Sequence, residues 1–230
     1  NIDEPMVLSV AVDSTFITCF GAGDGTATAT AADGTPPYTY LWSNGATTSS
    51  VGGLGPLPSF CVTVTDNLGC LDSGCVEIFE PAELIVTMTS TDMTCNGLCD
   101  GTGTATQGGG TPPYTYVWDD PDAQTNITAT GLCAGTFRVM VTDTSGCVVN
   151  DSVTIVEPTA IAANSSTVSA TCGLTDGIAI VSPSGGNPCG GPTPYLINWF
   201  NNGPTLNDSL TGLGSGCYDV EIVDCAVPTA

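Results

Sequence analysis

The chain repeats itself, and the length of its repeat limits the folds that it can adopt. The dipeptide Glu-Pro marks each copy, at residues 4–5, 80–81 and 157–158. A cysteine follows each proline after the same interval of 14 residues, at Cys19, Cys95 and Cys172. Self-similarity over 76 and then 77 residues is typical of tandem domains that each close a small core, and not of a solenoid of shorter units. We predict three domains, here called repeats 1, 2 and 3, with the boundaries 1–80, 81–157 and 158–230.

One strand is almost unchanged between the first two copies. The string TPPYTYLW at 35–42 returns as TPPYTYVW at 111–118, and a degenerate copy, TPYLINW, occupies 193–199. In repeat 1, period-2 alternation places Tyr38, Tyr40 and Trp42 on one face of the strand and Thr39 and Leu41 on the other. We therefore predict core tryptophans at Trp42, Trp118 and Trp199, the alternative being that these aromatic faces form a platform for stacking a ligand.

Short runs rich in Val, Thr, Ile and aromatic residues recur every 8–12 residues between Gly, Asn, Asp and Pro, which predicts an all-β fold built of sandwiches. No window shows a sustained helical period. In repeat 1 we predict strands near 6–12, 15–19, 25–31, 37–43, 47–51, 59–66 and 73–79. The turn Asp66-Asn67-Leu68-Gly69 is predicted to join the last two strands as a hairpin.

Twelve cysteines divide evenly, four to each repeat, and the chain contains no histidine. Domains of about 75 residues are near the lower limit for a stable core, so disulfides formed in an oxidising compartment are the expected use of these cysteines. Four cysteines allow three pairings in each repeat. We favour an outer bridge shared by every repeat: Cys19–Cys70, Cys95–Cys147 and Cys172–Cys225. The second bridges would then be Cys61–Cys75, Cys99–Cys133 and Cys189–Cys217.

The chain is strongly acidic, with one basic residue, Arg138, and a formal net charge of −22. This charge disfavours binding to nucleic acid or to an anionic membrane surface. No apolar run approaches the roughly 18 residues of a membrane span. Arg138 is also the single site that a trypsin-like protease could cleave.

Both ends of the chain interrupt the repeat pattern. Residues 1–5 match the end of a repeat, whereas repeat 3 stops without an equivalent of Val76 to Glu80. Two hypotheses fit this observation. The chain is part of a longer polypeptide, or the N-terminal segment of one copy supplies the missing strand to repeat 3 of the next copy in a filament.

The strings TPPYTYLWSNGATT and DGTATAT, the ending VTVTD-x-x-GC and the Glu-Pro linker together resemble the SprB-type repeat of Bacteroidetes surface adhesins, including adhesins of gliding motility. The resemblance covers nearly the whole chain, closely in repeats 1 and 2. It implies an Ig-like or PKD-like β-sandwich, export by the type IX route after Sec translocation, and display on the cell surface. The extra cysteine pairs are not part of the usual repeat.

Two kinds of candidate site remain. Asp24, Asp100 and Asp176 precede glycine at equivalent positions, where an aspartate either caps its own turn or supplies oxygen ligands to calcium. Ser14, Ser152 and Ser209 follow aspartate and resemble the O-glycosylation motif of Bacteroidetes. Four N-glycosylation sequons also occur, at Asn126, Asn150, Asn164 and Asn207.

No catalytic constellation is evident, and we predict neither an enzyme nor a cofactor. The favoured function is a stalk or filament segment of a secreted surface adhesin that supplies length, rigidity and protease resistance. Its partners would be neighbouring repeats or copies of itself. The alternative is a carbohydrate-binding accessory module, which would need an exposed row of aromatic residues for surface glycans.

Overall fold

A computed structural model describes residues 6–187, 195–200 and 207–224. The described residues form 17 β-strands and no helix. The strands of repeat 1 are β1 Ser9–Thr15, β2 Gly25–Ala32, β3 Thr39–Trp42, β4 Ser50–Leu54, β5 Leu57–Thr65 and β6 Leu71–Ile78. Repeat 2 contains β7 Ile85–Thr91, β8 Gly101–Gly108, β9 Tyr114–Trp118, β10 Thr128–Leu132, β11 Gly135–Asp143 and β12 Val148–Ile155. Repeat 3 contains β13 Ala162–Val168, β14 Gly177–Ser184, β15 Leu196–Trp199, β16 Ser209–Leu213 and β17 Val220–Val223.

The strand order is the same in each repeat. One sheet has the order β1-β2-β4, and the equivalent sheets are β7-β8-β10 and β13-β14-β16. The other sheet has the order β3-β5-β6, with β9-β11-β12 as its equivalent in repeat 2. In the described part of repeat 3 this second sheet consists of β15 and β17. The all-β prediction is confirmed.

The chain divides by compactness into two units. The first consists of Asn1–Thr87, Thr106–Val117 and Val139–Asp151. The second consists of Met88–Ala105, Trp118–Arg138 and Ser152–Ala230. The division into three domains at 1–80, 81–157 and 158–230 stays a prediction.

The core of repeat 1 lies between its two sheets. On β5, Phe60, Val62 and Val64 are buried while the alternate residues face outwards, as period 2 requires. Trp42 stacks on Phe60 with 5.0 Å between the ring centroids. From the opposite sheet, Ala27, Ala29 and Leu54 join the same cluster of buried residues.

Repeats 2 and 3 bury the equivalent tryptophans. Trp118 is 1% exposed, and a Cβ atom built on Gly103 would lie 3.1 Å from its ring, so β8 approaches the indole closely. Trp199 is 3% exposed and packs with Val181 and Leu210. The small residues of β2 and β8 thus make room for large aromatic rings.

The predicted strand at 15–19 is wrong. Residues 16–24 form a loop, because the Asp24 carboxylate accepts hydrogen bonds from both the N–H and the hydroxyl of Thr18. Gly21 and Gly23 in this loop have positive φ angles of 75° and 60°, which an extended strand does not use. A side chain that bonds its neighbouring backbone competes here with strand pairing.

Two further predictions fall on the ends of the chain. Residues 1–5 and 225–230, on which the incomplete ends and the donated strand depend, lie outside the described residues. Among the residues that are described, no helix is long and apolar enough to span a membrane.

Candidate functional site

Three recurring elements meet where one repeat follows another. The early-cysteine loops comprise residues 16–24, 92–100 and 169–176. The late-cysteine loops comprise residues 66–70 and 143–147, and Asp224 is the described residue of their counterpart in repeat 3. The linkers are the Glu-Pro dipeptides at 80–81 and 157–158.

Each early-cysteine loop is closed by an aspartate. Asp24 Oδ1 accepts the Thr18 N–H at 2.9 Å, and its Oδ2 accepts the Thr18 hydroxyl at 2.5 Å. Asp100 binds Thr94 in the same two ways, and Asp176 binds Thr171 at 2.6 Å in both. In each case the threonine hydroxyl, followed by its N–H, holds the pKa of the aspartate below the ordinary value.

These aspartates are the three calcium candidates. Among the described residues, no group of three or more metal-ligating side chains converges. The carboxylates instead take part in turn hydrogen bonds, which was the other interpretation of the Asp-Gly pattern.

The glutamate of each linker anchors the linker to the early-cysteine loop of its own repeat. Glu80 Oε1 accepts the Gly21 N–H at 2.7 Å, and Glu157 Oε1 accepts the Gly97 N–H at 2.6 Å. The Asn96 side chain also donates to the Pro158 carbonyl at 3.0 Å. The chain therefore leaves each of these repeats beside its early cysteine.

The residues just after the linker dock onto a Gly-Gly turn of the following repeat. The Gly110 N–H donates to the Ala82 carbonyl at 2.8 Å, and a Cβ atom on Gly110 would lie 3.0 Å from Leu84. The same bond joins Gly186 to Thr159 at 2.6 Å, and Gly34 to Met6 at 3.1 Å. The entry to every repeat is built in the same way.

A buried aspartate connects this entry turn to the late-cysteine loop. Asp66 is 6% exposed; its Oδ2 accepts the Thr35 N–H, and its Oδ1 accepts the N–H groups of Leu68 and Cys70, all within 2.9 Å. Burial raises the pKa of Asp66, but the bonds from Cys70, Thr35 and Leu68 outweigh it, so the net pKa lies below the ordinary value.

The other repeats use the same connection. Asp143 accepts the Thr111 N–H at 2.8 Å and the Cys147 N–H at 2.9 Å. Asp224 accepts the Asn187 N–H at 2.8 Å. The late cysteine therefore sits at the end of the repeat where the chain enters.

The structure joins Cys19 to Cys147, with 5.7 Å between their Cα atoms. The predicted bridges Cys19–Cys70 and Cys95–Cys147 are therefore wrong. The reason is geometric: β6 carries the chain over eight residues, about 26 Å, from the late cysteine to Phe79, whose carbonyl binds the early-cysteine loop at Ile17. The two loops lie at opposite ends of one repeat and meet only across a linker.

The inner bridges join the cysteines that the sequence pairs. Cys61 and Cys75 face each other in the register of β5 and β6, with 4.0 Å between their Cα atoms. Cys99 bonds Cys133, with 4.1 Å between their Cα atoms. Cys189 and Cys225 lie outside the described residues, as therefore do the predicted bridges Cys189–Cys217 and Cys172–Cys225. The described cysteines without a disulfide are Cys70, Cys95, Cys172 and Cys217.

The aromatic strand presents no open row of rings. The indole N–H groups of Trp42, Trp118 and Trp199 donate to the carbonyls of Thr48, Asn126 and Asn207. The hydroxyls of Tyr38, Tyr114 and Tyr195 donate to backbone carbonyls five to ten residues earlier. The buried edges of these rings thus belong to the core.

The three candidate O-glycosylation serines differ in exposure. Ser14 is half-buried in β1 and donates to the Glu77 carbonyl at 3.1 Å, and Ser209 is half-buried at the start of β16. Ser152 is exposed on β12. The exposed hydroxyl is the best placed of the three to accept a sugar.

Residues 11–47 and 87–123 match the family model of the SprB repeat. The chain carries two SprB repeats. No curated protein matches the chain. A solved tetra-tandem repeat in the extending region of a large adhesion protein shares 17% identity over 95% of this chain, with a TM-score of 0.25. This chain spans 66% of the length of that structure. A TM-score of this size does not establish a common arrangement of the domains.

Sequence reasoning missed the roles of Glu80 and Glu157 as linker anchors and the reach of Asp66 and Asp143 beyond their own turns. A signal was present. The constant interval from proline to early cysteine, and the fixed place of the late cysteine after aspartate, put both cysteines at repeat boundaries.

Proposed function

We propose that the chain is a stalk segment of a secreted bacterial surface adhesin, in which three Ig-like sandwiches form an elongated rod. It supplies length and stiffness between a cell and whatever the adhesin holds, and its role in gliding or attachment is mechanical. No catalytic step and no cofactor form part of this proposal.

The Cys19–Cys147 disulfide across the linker is the observation that carries the proposal. It holds the exit loop of repeat 1 against the entry loop of repeat 2, beside a linker already anchored by Glu80 on one side and by Ala82 on the other. A flexible tether for an independent binding module needs no such crosslink. A segment that transmits tension does, because the crosslink keeps the joint closed when the linker is pulled.

The composition supports an extracellular role. Disulfides persist in oxidising surroundings outside the cytoplasm. The net charge of −22 keeps such a chain soluble and apart from anionic surfaces. With a single basic residue, the chain offers trypsin-like proteases one cleavage site.

Small-angle X-ray scattering of the oxidised chain tests the rod. A compact protein of this length has a radius of gyration of about 17 Å, and the rod is expected to give a substantially larger value. A value near 17 Å would contradict the stalk. In the producing bacterium, antibodies against the purified chain are expected to label intact cells, and labelling only after lysis would contradict surface display.

The carbohydrate-binding alternative makes the opposite prediction for the aromatic residues. Since Trp42, Trp118 and Trp199 are at most 3% exposed, acrylamide is expected to quench the tryptophan fluorescence weakly. Glycans are expected to leave that fluorescence unchanged. Strong quenching together with a glycan-dependent shift would favour the binding module instead.

A further inference from the structure

We propose that Cys70 and Cys172 form a disulfide between two copies of this chain. Repeat 3 of one copy then joins repeat 1 of the next in the way that repeat 1 joins repeat 2 within the chain. The proposal stands on the cysteine loops and does not depend on the adhesin assignment.

Cys70 occupies the same position in repeat 1 as Cys147 does in repeat 2. Each cysteine follows a glycine with a φ angle of 85° or 86°, and each donates its N–H to the Oδ1 atom of a buried aspartate, at 2.8 and 2.9 Å. Cys147 is bonded to the early cysteine of the repeat before it. Cys70 is exposed and forms no disulfide with any described cysteine.

Cys172 occupies the same position in repeat 3 as Cys19 does in repeat 1. Thr171 and Asp176 close its loop with the two hydrogen bonds that Thr18 and Asp24 make around Cys19. Cys19 is bonded to the late cysteine of the repeat after it. Cys172 is exposed and likewise has no disulfide partner in the described part of the chain.

The third early cysteine, Cys95, is already directed towards a following repeat. Together with Asn96 it lines a pocket that Thr159, Gly186 and Asp224 of repeat 3 complete. These are the linker, the entry turn and the aspartate whose equivalents surround Cys147 in repeat 2. Each internal boundary thus has an early cysteine facing the next repeat, which leaves Cys70 and Cys172 without a boundary inside the chain.

The entry surface of repeat 1 matches the surface that repeat 2 presents to repeat 1. The Gly34 N–H binds the Met6 carbonyl, as that of Gly110 binds the Ala82 carbonyl, and Leu8 packs on Gly34 as Leu84 packs on Gly110. The exit of repeat 3 and the entry of repeat 1 are different surfaces, so the contact is head-to-tail and can continue into an open filament.

The bond needs an oxidant, and a small disulfide such as oxidised glutathione suffices. The thiolate of Cys70 attacks the glutathione disulfide and releases one glutathione. The thiolate of Cys172 from a second copy then attacks the mixed disulfide and releases the second glutathione. Two thiols are oxidised to one disulfide, and the two electrons and two protons end on the two glutathione thiols.

The test uses the full chain with its internal bridges intact, concentrated with oxidised glutathione in salt above 0.15 M. Salt is needed because two copies, each with a net charge of −22, repel each other unless screened over about 8 Å. Non-reducing electrophoresis is expected to show a ladder in steps of 23.1 kDa that collapses with reductant. Peptide mapping of the dimer band is expected to recover a Cys70–Cys172 linkage.

Single variants decide between this linkage and random oxidation. Cys70→Ser alone and Cys172→Ser alone are each expected to lose every band above the monomer. An equal mixture of the two variants keeps one Cys172 and one Cys70 on different molecules, so it is expected to give dimers and nothing larger. Cys217→Ser changes an exposed cysteine at neither position and is expected to keep the ladder. A monomeric wild-type chain, a ladder that survives in either single variant, or a mapped linkage other than Cys70–Cys172 overturns the proposal.

Discussion

At the scale of single residues, Asp66 shows how one carboxylate positions a cysteine. Its two oxygens receive N–H groups from the entry turn at Thr35 and from the late-cysteine loop at Leu68 and Cys70. Only an ionised carboxylate accepts through both oxygens at full strength, because a protonated one carries a donor on one of them.

We expect the contribution of Asp66 to stability to disappear in acid. The pKa of Asp66 in the folded protein lies below the ordinary 3.8, so its stabilising effect is complete above that pH and is lost as the pH falls through the folded value. Asp66→Asn is expected to lower the urea midpoint of repeat 1 at pH 7, and the difference from wild type is expected to shrink below a pH of about 3.8. Working in about 1 M salt screens the repulsion among the acidic residues, which otherwise changes with pH as well.

The matched control is Asp13→Asn, which alters an exposed carboxylate on β1. It is expected to leave the midpoint unchanged at both pH values. A difference between Asp66→Asn and wild type that stays constant from pH 7 to pH 2.5 would contradict the role assigned to the charged form.

Residues whose partners are local were predictable, whereas those whose partners lie in another repeat were not. Trp42 follows from the alternation of a single strand, and Cys61–Cys75 follows from symmetry about a hairpin turn. Nothing in the spacing of Cys19 shows whether it faces the late cysteine of its own repeat or that of the next. That choice depends on how β6 separates the two ends of the repeat.

At the scale of elements, the joint depends on a close contact between a linker and a glycine turn. Gly109 has a φ angle of 66°, and a Cβ atom at this position would lie 1.9 Å from the Glu83 carbonyl oxygen. Real Cβ atoms do not approach this closely, so the backbone of residues 82–84 must move if the glycine is replaced. Sequence patterns do not reveal such a contact, because both segments look like ordinary loops.

Gly109→Ala is therefore expected to destabilise repeat 2 more than Gly146→Ala. Both glycines have positive φ, which costs an alanine about 1–2 kcal/mol, but a Cβ atom on Gly146 meets no atom within 4 Å. The clash at Gly109 adds to that common cost. Urea unfolding of the two variants side by side measures the difference, and equal midpoints would show that the linker does not dock as described.

At the scale of the whole molecule, the crosslink encloses the only site that trypsin can cut. Arg138 is exposed on β11 and lies between Cys19 and Cys147, which are 128 residues apart in sequence. After cleavage at Arg138, the two fragments are therefore expected to stay together on a non-reducing gel and to separate on a reducing gel.

Cys147→Ser provides the control for this experiment. It removes the crosslink and leaves Cys61–Cys75 on one side of the cut, while Cys99–Cys133 also lies wholly before Arg138. Its tryptic fragments are expected to separate without reductant. Wild-type fragments that separate without reductant would show that Cys19 and Cys147 are not joined.

The same crosslink sets an order of events during synthesis. A chain that emerges N-terminus first presents Cys19 together with Cys61, Cys70 and Cys75 while Cys147 is still 128 residues away. An oxidant that acts at once joins Cys19 to a near neighbour, and uncatalysed reshuffling of a wrong pair takes up to hours. A cell that makes this protein must therefore either hold the first repeat reduced until the second has folded, or supply a catalyst of thiol exchange where the chain is oxidised.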